Sequence, residues 1–390
     1  MILLIVSWAI LLFLFVGISG IYYLFLRRKA SQKWNLVTDP NYSPSVTIII
    51  PTHNEQKTIG LKLENLKKVD YPVEKMQIIL VDDASTDNTV LEVNKFMQNN
   101  SELKAELLRQ TQRTGKSKAL NSALEYALNG IVVMSDADAF WAPDILKKAL
   151  PYLADPAVGA IVGRQIVLNR EQSWVTQAEA EYLDFVFDVV RLGESKIHST
   201  IIFHGSFGAY KKEVLGTFNI ETDDSGTALD IVQKGGRTVL ADEAICFDIS
   251  PSTWRGKFTL KNRRASQLVQ IWGRCAKLLL KGELRLPKRI SIPEIYIYLV
   301  NPVTFIAFAL ASLFLIWSYF PFSFILLAFA AGALVIRKSR LLLVELFQSN
   351  FILVIALSSY LSGKKFITWK PLEEPRSILT RDLLKTKNLI

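Results

Sequence analysis

The 390-residue chain is half hydrophobic, carries 21% charged residues and has a formal net charge of +10. Its mean hydropathy of +0.24 is too high for an ordinary soluble enzyme. The positive charge does not point to nucleic acid: it gathers at residues 27–33, 281–289 and 337–340, beside apolar segments where anionic lipid headgroups are the simplest partner, and no zinc-finger, RNA-recognition or helix-turn-helix pattern accompanies it.

Residues 1–26 hold no charged side chain, enough for one bilayer crossing at about 20 residues per helix. A cleaved signal peptide would show a basic start, a shorter apolar stretch and a small-x-small site before Arg27, so a membrane anchor is expected instead. Arg27, Arg28, Lys29 and Lys33 follow directly. By the positive-inside rule they place the next domain in the cytoplasm of a multi-pass protein of the cell membrane. Two cysteines, Cys246 and Cys275, without metal-type spacing agree with a reducing compartment.

Residues 27–44, with Ser31, Pro40 and Pro44, read as a linker, and residues 45–265 as a soluble domain with its own core. Strands are predicted over 46–50, 77–81, 103–108 and 131–134, alternating with helices over 55–68, 87–98 and 117–128. This is the rhythm of a mostly parallel sheet with helices on both faces. Ligands of such sheets bind beyond the carboxyl ends of the strands. Pro51-Thr52-His53-Asn54-Glu55, Asp82-Asp83 and Asp136-Ala137-Asp138 all fall there, so three polar clusters distant in sequence should meet in one crevice.

Asp136 and Asp138, one residue apart after an apolar strand, form a compact site of hard oxygens suited to Mg²⁺ or Mn²⁺ carrying a diphosphate. Acidic pairs at strand ends are more often solvated turn or cap residues, so the pair alone decides nothing. Asp83, at another strand end, can accept a hydrogen bond from the N3–H of uracil, and Asp87 is placed to cap the next helix. Lys116 stands near a helix N-terminus, a favourable place for phosphate.

With these residues in view, the chain resembles the family 2 inverting glycosyltransferases of the GT-A fold, the group that includes polysaccharide synthases and dolichyl-phosphate sugar synthases. The motifs run in order from Pro51-Thr52-His53-Asn54-Glu55 and Asp82-Asp83 to Gly115-Lys116-Ser117-Lys118-Ala119-Leu120-Asn121 and Asp136-Ala137-Asp138. Gly205-Ser206-Phe207-Gly208-Ala209-Tyr210 and Thr222-Asp223-Asp224 complete the set. The resemblance implies a GT-A domain that uses Mn²⁺ or Mg²⁺. It implies that Pro51, Thr52, Asn54, Glu55 and Asp83 serve the donor nucleotide, Lys116 and Arg263 its phosphates, Asp136 the ribose or sugar, and Asp138 the metal. Asp224 would be the catalytic base, with Gly205, Ser206, Asp223 and Arg264 on the acceptor side. The donor would be a nucleotide sugar, UDP-linked by the family's habit at Asp83 with GDP left open, and the acceptor a lipid-linked or glycan hydroxyl at the bilayer.

One departure bears on the product. Processive synthases carry Gln-x-x-Arg-Trp where this chain has Leu260-Lys261-Asn262-Arg263-Arg264. Arg263 keeps the phosphate role, but Arg264 removes the aromatic platform for a growing chain. Transfer of one or a few sugars is therefore expected, with a processive synthase as the alternative. A non-catalytic nucleotide-sugar binding protein would lack the base or metal carboxylates, and a nucleotidyltransferase would not need Thr-Asp-Asp.

Beyond the domain, residues 266–290 read as an amphipathic helix, either in the membrane interface or on the surface of the soluble domain. Residues 291–336 read as two crossings joined near Pro321. Residues 337–363 form a further apolar segment in which Glu345, Gln348 and Asn350 would be costly against lipid. Its interfacial, re-entrant and spanning readings stay open. Residues 364–390 form a basic tail. Nothing in the sequence bears on the oligomeric state.

Overall fold

The computed structural model describes residues 2–319, 324, 328, 331, 332, 337–363 and 373–390. Contacts divide the chain into two compact units, residues 26–253 with 368–390, and residues 1–25 with 254–367. The first crossing expected within residues 291–336 is described, the second lies largely outside the described residues, and so do residues 364–372 of the tail.

The first unit is built on a mixed sheet, eight-stranded among the described residues, with helices on both faces. Its strands are β1 (Val46–Thr52), β2 (Met76–Asp82), β3 (Lys104–Arg109), β4 (Ile131–Met134), β5 (Phe140–Trp141), β6 (Val158–Val167), β7 (Gly208–Lys211) and β8 (Arg237–Asp248), in the order β3-β2-β1-β4-β7-β6-β8-β5. β2 is buried along its whole length and β1 at all but Pro51, whereas β3 alternates toward solvent. This is the difference between strands covered on both faces and an edge strand. β1 pairs in parallel with both β2 and β4, so the chain reverses its winding between them. Such a switch point leaves a crevice at the strand ends. β7 runs antiparallel between β4 and β6, bringing residues 205–207 to the same edge.

After α1 (Ile2–Ala30), helices α2 (Ile59–Lys67), α3 (Thr89–Asn99), α4 (Lys116–Leu124), α5 (Ile145–Ala149) and α6 (Trp174–Phe185) cover this sheet, joined by α7 (Leu192–Ile197), α8 (Lys212–Leu215) and α9 (Ser225–Gln233). The core runs from Val46, Ile48 and Ile50 through Leu63, Leu66 and Val133 to Trp141, Phe207 and Val239, all buried. α2 starts at residue 59, not 55, because Asn54 takes a positive φ of 57° and turns the chain before the helix. The cap position of α3 is Asn88, not Asp87 as expected; Asp87 lies one residue earlier, its Oδ1 accepting from Thr89 N at 3.0 Å.

The second unit holds two helices long and apolar enough to cross a membrane, Ile2–Ala30 and Lys288–Ser318. The last residues of the first of these belong to the sheet-bearing unit. Within the second unit they meet through Phe15, which lies 5.3 Å from Phe305 and 5.4 Å from Phe308 between ring centroids, and through Trp8 Nε1 donating to Ser312 Oγ at 2.8 Å.

The amphipathic stretch differs from expectation. A single helix runs over Trp254–Leu280, twelve residues ahead of the expected start at 266, so the sheet-bearing unit closes at 253 instead of 265. Trp272 is fully buried and stacks on Tyr298. Ala265 and Val269 pack with Ile352, Leu353 and Ala356 of the helix Arg337–Leu361. Of Glu345, Gln348 and Asn350 in that last helix, the first and third are answered inside the unit, while Gln348 Oε1 is buried with no hydrogen-bond partner among the described residues. Lys257 pairs with Glu345 at 3.1 Å, Lys261 joins the same carboxylate, and Asn301 Nδ2 donates to Asn350 Oδ1 at 3.3 Å.

Candidate active site

The crevice gathers its polar groups from chain segments that each end a strand or open a helix. Ser135 N donates to Ile49 O and Asp136 N to Gly205 O at 2.8 Å, which fixes the Asp136-Ala137-Asp138 turn between β1 and the segment before β7. Ser206 O accepts from both Ser135 Oγ at 3.2 Å and Trp141 Nε1 at 2.9 Å. A Cβ at Gly205 would meet Asp136 Oδ2 and Lys116 Nζ, so any side chain there would push these two site groups aside.

Lys116 is the centre of the arrangement. Its ammonium lies 2.6 Å from Asp136 Oδ1 and 2.8 Å from Asp223 Oδ2, bridging two motifs 87 residues apart in the chain. Burial alone would lower its pKa, but the charges of Asp136, Asp223 and Asp224 outweigh it and hold the ammonium well above its usual value. On the far side, Asp224 opens α9, its Oδ1 accepting from Ser225 N at 2.6 Å. Burial, then the charge of Asp223, push its carboxyl up to about 6 against the pull of Lys116.

Glu55, Asp138 and Arg376 form the second cluster. Arg376 pairs with Glu55 and lies 3.7 Å from Asp138 Oδ2, while Thr58 Oγ1 donates to Glu55 Oε2 at 2.7 Å. Burial and the charge of Asp138 raise Glu55 to about 8, and burial and Asp136 raise Asp138. Glu55, Asp138 and Asp224 are each lifted first by burial and next by a neighbouring carboxylate, so carboxylate oxygens crowd this site. Hard oxygens crowded in this way fit Mg²⁺ or Mn²⁺. Among the described residues no group of three or more acidic, His or Cys side chains is placed to hold a metal ion; a cation here would need one or two carboxylates together with the substrate's phosphates.

The remaining expected donor residues lie at the ends of β1 and β2 and tie the loops together. Asn54 N donates to Ser85 Oγ and its Oδ1 accepts from Thr86 N at 2.8 Å. Thr52 Oγ1 donates to Val81 O, directly after Pro51 in the same strand. Asp83 is buried and accepts from Thr114 N at 2.7 Å and Gly115 N at 2.8 Å, so its carboxylate first of all positions the loop that carries Lys116. Glu55, Lys116, Asp136, Asp138, Gly205, Ser206, Asp223 and Asp224 are thus brought to one edge of the sheet. Arg263 and Arg264 are on the Trp254–Leu280 helix of the other unit.

Lys62 and Asn65 escape sequence reasoning, and Asn121 and Tyr210, though inside the motifs, are given no role by it. Lys62 is fully buried, donates to Ala139 O at 2.7 Å and sits 4.3 Å from the Trp141 ring centre. Burial pushes its ammonium down to about 7. Asn65 brackets Trp141, accepting from its N at 2.8 Å and donating to its O at 2.9 Å. Together they floor the segment after Asp138. Asn121 clasps Phe218 through its N and O, which sets the approach to Thr222-Asp223-Asp224. Tyr210 is buried, and Asp224 and Asp223 add to burial in raising its phenol well above the usual range.

A mixed sheet with Asp-x-Asp at its switch point and a second Asp pair across a bridging lysine defines the GT-A class of glycosyltransferase domain. The chain belongs to glycosyl transferase family 2, whose description matches residues 47–218. It is similar to the mannosyltransferase PcManGT from Pyrobaculum calidifontis, solved in complex with GDP-Man and Mn²⁺, at 33% identity and a TM-score of 0.78 over 93% of this chain and 100% of that one. It is also similar to a β-monoglucosyldiacylglycerol synthase from Synechocystis, 32% identical over 136 residues, which cover 35% of this chain and 28% of that protein. A poly-β-1,6-N-acetyl-D-glucosamine synthase from Staphylococcus aureus is 25% identical over 64% of this chain and 61% of its own length. The chain therefore spans between about a quarter and three fifths of these two curated relatives.

Proposed function

We propose that this glycosyltransferase moves a sugar, with inversion, from a nucleotide-diphosphate donor to a hydroxyl of a lipid-linked or membrane-proximal acceptor. The observation that carries the reading is Lys116 bridging Asp136 and Asp223, which sets a donor half and an acceptor half on either side of one ammonium. Asp138, with Asp136 beside it, would hold a divalent metal, which supplies neutralisation of the departing diphosphate. Lys116 is the point charge for the same phosphates. Asp224 takes the proton of the acceptor hydroxyl as its oxygen bonds to the anomeric carbon, opposite the breaking bond to the diphosphate.

Similarity over 93% of this chain to a protein solved with GDP-Man supports screening GDP-mannose first, ahead of the UDP-sugars implied by the family resemblance. The purified full chain is expected to release nucleoside diphosphate from at least one of GDP-mannose, UDP-glucose and UDP-N-acetylglucosamine when Mn²⁺ or Mg²⁺ is added. Inertness toward all three with both metals would overturn the reading. Mass spectrometry of products formed on a lipid extract then separates one or a few added sugars from a polymer.

Two apolar helices of spanning length and the basic cluster at Arg27, Arg28, Lys29 and Lys33 support a membrane protein whose catalytic unit faces the cytoplasm. A cysteine placed at exposed Ser101 should stay unlabelled by an impermeant reagent until cells are opened. Labelling of intact cells would reverse the orientation.

A further inference from the structure

Arg376 reaches the crevice from a part of the sequence that none of the family motifs touches. The segment bearing it is docked by apolar burial: Leu379, Leu384 and Leu389 pack with Phe140 and Leu168, and Asn65 Nδ2 donates to Leu389 O at 2.8 Å. Phe140 and Asn65 belong to the same support that holds the Asp138 turn. The arginine is thus fixed relative to Asp138 and not draped across it by charge alone.

The guanidinium is incompletely used. Its contacts to Glu55 and Asp138 both run through Nη2, while Nε is buried and finds no acceptor among the described residues. A guanidinium offers five donors in a planar fork that matches two oxygens of a phosphate. Leaving a buried charged donor unanswered is costly, and the group that arrives at Asp138 in the proposed reaction is a diphosphate.

We propose that Arg376 is a donor-phosphate ligand, so that residues 376–390 complete the nucleotide-sugar site with a second cation opposite Lys116. This rests on the donor-site reading of Asp138. Lys116 serves the side of the crevice shared with Asp223, and Arg376 the side shared with Glu55. The arrangement also gives Glu55 its role: it orients the fork through one nitrogen and leaves the others for the ligand.

The test is calorimetric binding of GDP, UDP, GMP and UMP to the full-length protein in Mn²⁺, with wild type, Arg376→Ala and Arg376→Lys. Arg376→Ala should weaken the diphosphate that wild type binds by tenfold or more and leave its monophosphate within twofold, with Arg376→Lys between. Unchanged diphosphate affinity overturns the inference. So does tighter binding of Mn²⁺ alone with unchanged diphosphate affinity, which would make the guanidinium a plug that competes with the metal. If wild type binds neither diphosphate, the donor reading fails first and takes this inference with it; loss confined to the Arg376 comparison leaves that reading standing. Matching melting curves for the three proteins confirm that the segment stays docked.

Discussion

Asp224→Asn is expected to bind nucleotide sugar as wild type does and to transfer it at least about 100-fold more slowly, the scale of losing a positioned base. Asn keeps the oxygen that accepts from Ser225 N, so the start of α9 and the melting temperature should survive. The pH profile carries the sharper signature. Burial and Asp223 lift the Asp224 carboxyl to about 6, and only its ionised form can take a proton. Transfer should therefore rise with pH through about 6 and level above it, falling roughly tenfold per unit on the acid side. Asp223→Glu should be milder, because a longer carboxylate can still reach Lys116. A wild-type rate from Asp224→Asn, or a product that keeps the donor's anomeric configuration, would end the assignment of Asp224 as base.

Asp138→Asn is expected to abolish Mn²⁺-dependent nucleotide binding with no loss of stability. The carboxylate is a hard anionic ligand and its amide is a poor one. Stability should hold because burial and Asp136 raise this carboxyl: the folded state disfavours the charged form, so the neutral isostere removes a repulsion at pH 7. The melting temperature should match or exceed that of wild type, while calorimetry with Mn²⁺ and GDP or UDP shows no binding. Metal-dependent binding that persists in this variant would move the metal elsewhere.

The strand ends were legible because each apolar run stops at a polar cluster, and a βαβ rhythm carries those stops to one edge. Asp83, Asp136 and Asp138 could be read for that reason, whereas Asp223 and Asp224, which precede a helix, were reached only through the family resemblance. Helix starts were less clear where a turn intervenes, as at Asn54, whose positive φ leaves no trace in hydrophobic periodicity. The helix beginning at Trp254 was placed late because its first turns carry Arg255, Lys257 and Lys261, which resemble a solvated stretch until Glu345 is seen to receive two of them. Nothing in the sequence marks Lys62 as buried, because charge alone does not say which helix face is inward. Leu379, Leu384 and Leu389 are five residues apart, a spacing that fits neither helix nor strand, so the docking of residues 376–390 could not be foreseen.

Lys62 and Asn65, neighbours one turn apart on α2, spend their polar atoms on main-chain groups of Ala139, Trp141 and Leu389. A carbonyl or amide is offered by every residue type, so these bonds place few demands on the side chains of the residues they hold. The stringency falls on the donors instead. Sequence drift at Ala139 or Leu389 can leave the turn beneath Asp138 where it is, whereas an exchange at Asn65 releases three backbone groups at once and one at Lys62 frees the buried Ala139 carbonyl, and mutational tolerance around this site should be sharply one-sided.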